Sequence, residues 1–182
     1  AYRDCGPAHP VPLLCLHGLA RHARDFDSLA AALAGDGRRV VAADMAGRGD
    51  SDRLRDPLDY GYPQYLADTT TLIARLGGDE VDIVGTSMGG LIGMMLAAQA
   101  ETPVRRLVIN DVGPFIPKAA LERILQYFGK DPRFADLAEA EAYHRATYRS
   151  FGDLSDAQWR HLTETSLRRD AAGWRLHYDP RI

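Results

Sequence analysis

The sequence predicts an α/β protein, a mostly parallel sheet with helices on both faces, followed by a helical subdomain. Three observations carry that prediction. Short apolar runs alternate with longer stretches of helical period between residues 11 and 109. A strand that is apolar throughout has no polar side to offer water, so it belongs in a parallel sheet covered on both faces. Beyond Pro114 the strand-type runs stop, and ten of the fifteen aromatic residues lie between Phe115 and Tyr178.

Val11 to Leu16 reads as the first buried strand and ends at His17-Gly18. From His22 to Gly35, Phe26, Leu29, Ala30 and Leu33 recur at i, i+3, i+4 and i+7, the stripe of an amphipathic helix closed by glycine. Arg39 to Ala43 is a second strand, ending at Asp44, and a loop rich in Gly, Arg, Asp and Pro runs to about Gly61. The next helix spans Tyr62 to Leu76. Val81 to Val84 forms a third strand, Gly85 opens a sharp turn, and Met88, Leu91, Ile92, Met95 and Leu96 mark a helix. Gly89, Gly90 and Gly93 in that helix imply close packing against its neighbours. Leu107 to Ile109 is a fourth strand. A boundary falls near Gly113-Pro114, dividing a core at 1–113 from a subdomain at 114–182. From Pro117 onward only helices are expected, over Ala119 to Phe128, Pro132 to Tyr148 and Ser155 to Arg169. The arginine-rich stretch from Arg160 to Arg175 reads as a solvated helix face.

Composition narrows the function classes. The 182 residues carry 22 Lys+Arg against 25 Asp+Glu, a net charge of −3, so the basic excess that neutralises nucleic-acid phosphates is absent. Neither a dinucleotide-type glycine fingerprint nor a Walker-type GK[ST] occurs. The apolar run from Gly89 to Ala98 is too short to span a bilayer, and no membrane partner is expected. Cys5 and Cys15 match neither a zinc site nor a disulfide framework, so a reduced, cytoplasmic setting is expected. Arg48-Gly49-Asp50 is an adhesion tripeptide by letter only, and Gly49-Asp50-Ser51 falls in a loop, away from the strand end where such a triplet serves lipases.

Gly85-Thr86-Ser87-Met88-Gly89 is the strongest chemical signal: a G-x-S-x-G turn between a strand and a helix. A strand that becomes a helix within one residue forces the serine into strained backbone, and side chains at 85 and 89 would collide there. The turn presents a serine hydroxyl at the carboxyl end of the sheet, with the helix N-terminus aimed at developing negative charge. Acyl transfer needs two amide donors for the oxyanion. Met88 supplies one, and a tight turn through His17-Gly18-Leu19-Ala20 can bring the Leu19 amide opposite it. His17 itself is better placed to orient that loop than to take a proton.

With Asp44-Met45-Ala46-Gly47-Arg48-Gly49-Asp50-Ser51 in place, H-G-x-x, D-x-x-G-x-G-x-S and G-x-S-x-G in this order resemble the α/β-hydrolase superfamily, over about residues 11 to 113. The helical part beyond resembles that family's cap, entered through Asn110 to Pro114. The resemblance implies an esterase-like mechanism: Ser87 attacks an acyl carbon, the Leu19 and Met88 amides hold the oxyanion, and water releases the acid. His17, Gly18, Gly85 and Gly89 then support the elbow and loop. It implies a small-molecule acyl substrate, no metal and no organic cofactor. Serine at the elbow counts against the dehalogenase and epoxide-hydrolase relatives, which place aspartate there.

In that family the acid and histidine follow later strands, so the chain looks truncated and both are expected beyond Ile182. Asp111, after the fourth strand, stands where some relatives carry their acid, although a structural role explains it as well. Leu107 to Ile109 would then be an apolar sheet edge open to self-association. The aromatic residues Tyr127, Phe128, Phe134, Tyr143 and Trp159 suit an apolar or aromatic acyl group, and packing within the subdomain explains them equally. Two alternatives stand beside the esterase: a carbon–carbon bond hydrolase of the same fold, and a binding module that keeps the elbow without the triad.

Overall fold

A computed structural model of the chain describes residues 1–171 and 173–182. It divides into two compact units, residues 1–117 with Ile182, and residues 118–181. The division falls after Pro117, a little later than the boundary read at Gly113-Pro114. Proline disfavours helical backbone in the residue before it, and the next helix opens only at Lys118.

The first unit is built on five strands: β1 (Tyr2–Cys5), β2 (Leu13–Leu16), β3 (Val40–Ala43), β4 (Val81–Thr86) and β5 (Val104–Asn110). Their order is β1-β3-β2-β4-β5. β2, β3, β4 and β5 run parallel, and β1 pairs antiparallel with β3, Tyr2 opposite Ala43 and Cys5 opposite Val40. Three helices follow in chain order: α1 (Asp27–Gly35), α2 (Tyr62–Leu76) and α3 (Met88–Ala97). The segment from His22 to Gly35, expected as one helix, opens with a 3₁₀ turn at Ala23–Phe26 before α1 begins.

Alternation along single strands explains why both faces are covered. Leu14 and Leu16 of β2, Val41 and Ala43 of β3 and Ile83 of β4 pack with Ile73 and Leu76 of α2 and Ile92 and Leu96 of α3. Leu13, Cys15, Val40 and Ala42 point the other way, onto Ala23, Phe26 and Ala30. At roughly 1.5–3 kcal/mol for each fully buried large aliphatic side chain, this two-sided burial is what holds the parallel sheet. Burial pushes the Cys15 thiol up to about 12, so it stays a neutral apolar side chain. β5 closes one edge of the sheet, with Val108 57% and Ile109 41% exposed.

The second unit corrects the expectation of helices alone. It contains α4 (Lys118–Leu125), α5 (Leu137–Thr147) and α6 (Asp156–Thr165). It also contains a three-stranded antiparallel sheet of β6 (Arg133–Phe134), β7 (Leu167–Asp170) and β8 (Gly173–Leu176), ordered β6-β8-β7. The stretch Arg160 to Arg175 is therefore half helix and half sheet. Leu167 and Leu176 are paired and buried, while the adjacent Arg168 and Arg169 are both exposed, so the strand carries no inside–outside alternation in its sequence. Arg133 and Arg175 bridge Asp170 and Asp131 across this sheet. Phe134, Tyr148, Trp159 and Tyr178 are buried within the unit, so packing accounts for much of its aromatic content.

Candidate active site

The carboxyl ends of β2, β3 and β4 meet at one place because their registers match: Leu16 lies opposite Ala43 on one side and Gly85 on the other. The residues at the ends of these strands are therefore neighbours, namely His17-Gly18, Asp44 and Thr86-Ser87.

Ser87 occupies the junction of β4 and α3 with φ 51° and ψ −114°. A non-glycine residue with positive φ away from the ordinary left-handed well is strained, by about 1–3 kcal/mol. Two hydrogen bonds hold it. The Ser87 amide donates to the Asn110 carbonyl at 2.9 Å, and the Leu91 amide donates to the Ser87 carbonyl at 3.1 Å. Flanking glycines remove the collisions: a Cβ at Gly85 would lie 2.4 Å from the Gly89 carbonyl oxygen, and one at Gly89 would lie 2.1 Å from the Leu16 carbonyl oxygen. The first turn of α3 thus sits directly on the end of β2. As the first intrahelical bond comes from Leu91, the amides of Met88, Gly89 and Gly90 have no acceptor within the helix.

Gly18 adjoins the serine. A Cβ built on it would lie 3.7 Å from Ser87 Cβ and 3.9 Å from the Thr86 carbonyl oxygen. His17 is fully buried, with both ring nitrogens engaged by backbone. Nε2 accepts from the Met45 amide at 2.9 Å, which places the proton on Nδ1, and Nδ1–H donates to the Gly18 carbonyl at 2.7 Å. Burial pushes its pKa down to about 4; the Arg48 charge acts in the same direction, and the Gly18 hydrogen bond opposes it. A neutral imidazole thus links the loop at Gly18 to the loop at Met45.

Asp44 ties the third loop. Its carboxylate accepts from the Ala23 amide at 2.7 Å and the Asp50 amide at 3.0 Å, and its carbonyl accepts from Ser51 Oγ at 2.7 Å. Gly49, with φ 52°, is needed because a Cβ there would lie 2.4 Å from that carboxylate. Arg21 and Asp25 form a bonded pair beside this loop; burial would raise the Asp25 pKa, but the Arg21 charge and hydrogen bond outweigh it and hold it low.

Asp111 lies just past β5 with φ 54° and is exposed. Among the described residues of the first unit, no hydrogen bond joins Asp111 or Ser87 to a histidine. The residue that sequence reading passed over is Arg48. It is fully buried and donates to the carbonyls of Leu19 and Ala46 and to the Tyr65 hydroxyl. Its place inside the D-x-x-G-x-G-x-S loop was the available signal.

A serine at a strained strand–helix turn, with Gly18 packed against it, and a parallel sheet with helices on both faces define a class, and comparison agrees with it. The chain matches the model of the alpha/beta hydrolase fold over residues 11–170, and it belongs to that family. It is 49% identical to a 3-hydroxybutyrate-oligomer hydrolase of Cupriavidus necator over the whole of this chain and 64% of that protein. It is 37% identical to a mouse sn-1-specific diacylglycerol lipase, ABHD11, over 60% of this chain and 35% of that one. An alpha/beta hydrolase structure from Novosphingobium aromaticivorans superposes with a TM-score of 0.90 at 38% identity, covering all of this chain and 64% of that one. The chain therefore spans less than two thirds of the length of these relatives. Among the described residues no helix is long and apolar enough to cross a membrane.

Proposed function

We propose that this protein hydrolyses a carboxylic ester through an acyl-enzyme on Ser87. The observation that carries the reading is the strained Ser87 backbone at the β4–α3 junction, with Gly18 packed against it. Ser87 Oγ attacks the carbonyl carbon as its proton passes to a general base, and the Leu19 and Met88 amides receive the charge on the carbonyl oxygen. The ester C–O bond breaks, the alcohol leaves with a proton, and water then attacks the acyl-enzyme to release the acid and restore the serine. His17, with both nitrogens engaged by backbone, is an orienting group in this scheme and not the base. The names of the relatives support an ester substrate, and hydroxyacid oligomers and acylglycerols are the two classes to try first.

The test is the intact mass of the protein before and after exposure to a fluorophosphonate probe. A single adduct, lost in Ser87→Ala, is expected. A folded protein that takes no adduct yet binds an acyl ligand equally well with and without Ser87 would establish the binding-module reading in its place.

A further inference from the structure

We infer that Arg48 is a positioning residue that holds the two oxyanion donors in one frame, an inference that rests on the esterase reading above. Among the described residues Arg48 is the largest fully buried side chain. Its guanidinium reaches four places. Nε donates to the Leu19 carbonyl at 2.9 Å. Nη1 donates to the Ala46 carbonyl at 2.7 Å and the Tyr65 hydroxyl at 2.8 Å. Nη2 approaches Met88 Sδ at 3.8 Å, a weak contact that nevertheless lies on the elbow residue itself. The fork is packed against the ring faces of Tyr65, 5.0 Å from its centroid, and Tyr60, 5.7 Å away.

Peptide geometry shows what those contacts accomplish. The Leu19 N–H shares a planar unit with the Gly18 carbonyl and points opposite to it. That carbonyl accepts from His17 Nδ1 at 2.7 Å and from the Arg21 amide at 3.0 Å, so the Leu19 donor is aimed from behind. The next peptide unit, carrying the Leu19 carbonyl, is held by Arg48. Leu19 is therefore fixed in both peptide planes, the first through His17 and the second through Arg48. The two devices are themselves joined, because the Met45 amide donates to His17 Nε2 while the Arg48 amide donates to the Met45 carbonyl at 3.0 Å.

A planar fork with donors on several sides can serve Leu19, Ala46 and Tyr65 together. A lysine ammonium offers one point and cannot span them. Donors preset toward the place where charge develops matter for the rate more than for binding the ground state. Arg48 touches no reacting atom; it acts through Leu19 and Met88.

The experiment compares wild type, Arg48→Met and Arg48→Lys in the rate of fluorophosphonate labelling at Ser87 and in kcat and KM on a short-chain p-nitrophenyl ester. Rates are taken per folded molecule, with folding followed by near-UV circular dichroism. Arg48→Met is expected to lower kcat by about 100-fold while KM stays within about threefold. Arg48→Lys, which keeps the charge and folds more readily, is expected to recover no more than about a tenth of the wild-type rate. If Arg48→Met fails to fold, Arg48→Lys alone decides the matter. Labelling of folded Arg48→Lys at the wild-type rate overturns the inference and leaves the esterase reading intact. Absence of labelling in wild type overturns the esterase reading first, and this inference with it.

Discussion

The two ends of the parallel sheet are built on different principles. At the amino end, Asp82 of β4 is clasped by two arginines: Arg38 Nη2 donates at 2.9 Å, and Arg105 donates at 2.9 and 2.7 Å from Nε and Nη2. Charge there meets opposite charge. At the carboxyl end the buried Arg48 fork is aimed at the carbonyls of Leu19 and Ala46, and the His17 ring lies between the Met45 amide and the Gly18 carbonyl. Side chains there hold backbone in place, and Ser87 carries strain that its surroundings enforce. The amino end adds stability, whereas the carboxyl end spends part of it on the placement of amides and one hydroxyl. Substitutions at the two ends should therefore separate stability from chemistry.

The largest effect is expected at Gly89. The new Cβ of Gly89→Ala would lie 2.1 Å from the Leu16 carbonyl oxygen and 2.7 Å from Leu16 Cβ, and the first contact is backbone that cannot swing aside. Helix α3 must lift from β2, carrying Met88 with it. We expect a loss of about 3 kcal/mol in urea unfolding together with loss of probe labelling. Gly35→Ala is the matching control, since nothing lies within 4 Å of a Cβ at that exposed helical position. It should be neutral or stabilising by up to about 1 kcal/mol. Equal effects at the two glycines would remove the argument for close packing at the elbow.

The next effect is one of pH. Burial holds the folded His17 imidazole at about 4 against an ordinary 6.5. Between those values the unfolded chain binds a proton that the folded protein does not. The contribution of His17 is therefore fully present above about pH 6.5 and is lost progressively as pH falls toward 4. From about pH 7.5 to about pH 5 this amounts to roughly 2 kcal/mol of urea-measured stability. His17→Gln keeps an acceptor for the Met45 amide but cannot titrate, so its stability should change less over that window. A wild-type protein and variant with the same pH slope would show that His17 ionises freely in the fold.

What the sequence disclosed, and what it hid, follows the same division. The elbow was legible because steric demand writes itself as glycine: Gly85 and Gly89 stand where any Cβ would strike backbone. The buried strands β2, β3 and β4 were legible because burial on two faces leaves apolar runs, unbroken in β2 and β3 and interrupted in β4 only by Asp82 among its first four residues. β1 was not, since Tyr2 to Cys5 lies on a sheet edge, largely exposed, and takes its register from β3. The β7–β8 pair was hidden by its arginines, since the exposed Arg168 and Arg169 side by side break any strand alternation and read as a solvated helix. Arg48 was hidden for a different reason. Its D-x-x-G-x-G-x-S loop marks where it lies but not that it is buried; its role comes from Leu19, Tyr65 and Met88, which lie 17 to 40 residues away in the chain.

The smallest effect belongs to the amino end and completes the comparison. The bonded arginines Arg105 and Arg38 hold the Asp82 carboxyl below its usual range against the opposing effect of burial. Its stabilising contribution is present above the ordinary carboxylate pKa and fades as pH falls through the lower folded value. Because both arginines remain about 30% exposed, solvent screens the pair, and Asp82→Asn should cost only about 1 kcal/mol near neutrality. Added salt at about 0.5 M should narrow the difference between variant and wild type, and the two should converge in acid. Probe labelling at Ser87 should stay within about twofold, because the strain at Ser87 is held by Asn110, Leu91 and the flanking glycines rather than by Asp82. A labelling rate that falls tenfold or more in a folded Asp82→Asn protein would mean that β4 transmits the charge cluster to the elbow, so that the two ends of the sheet form one device.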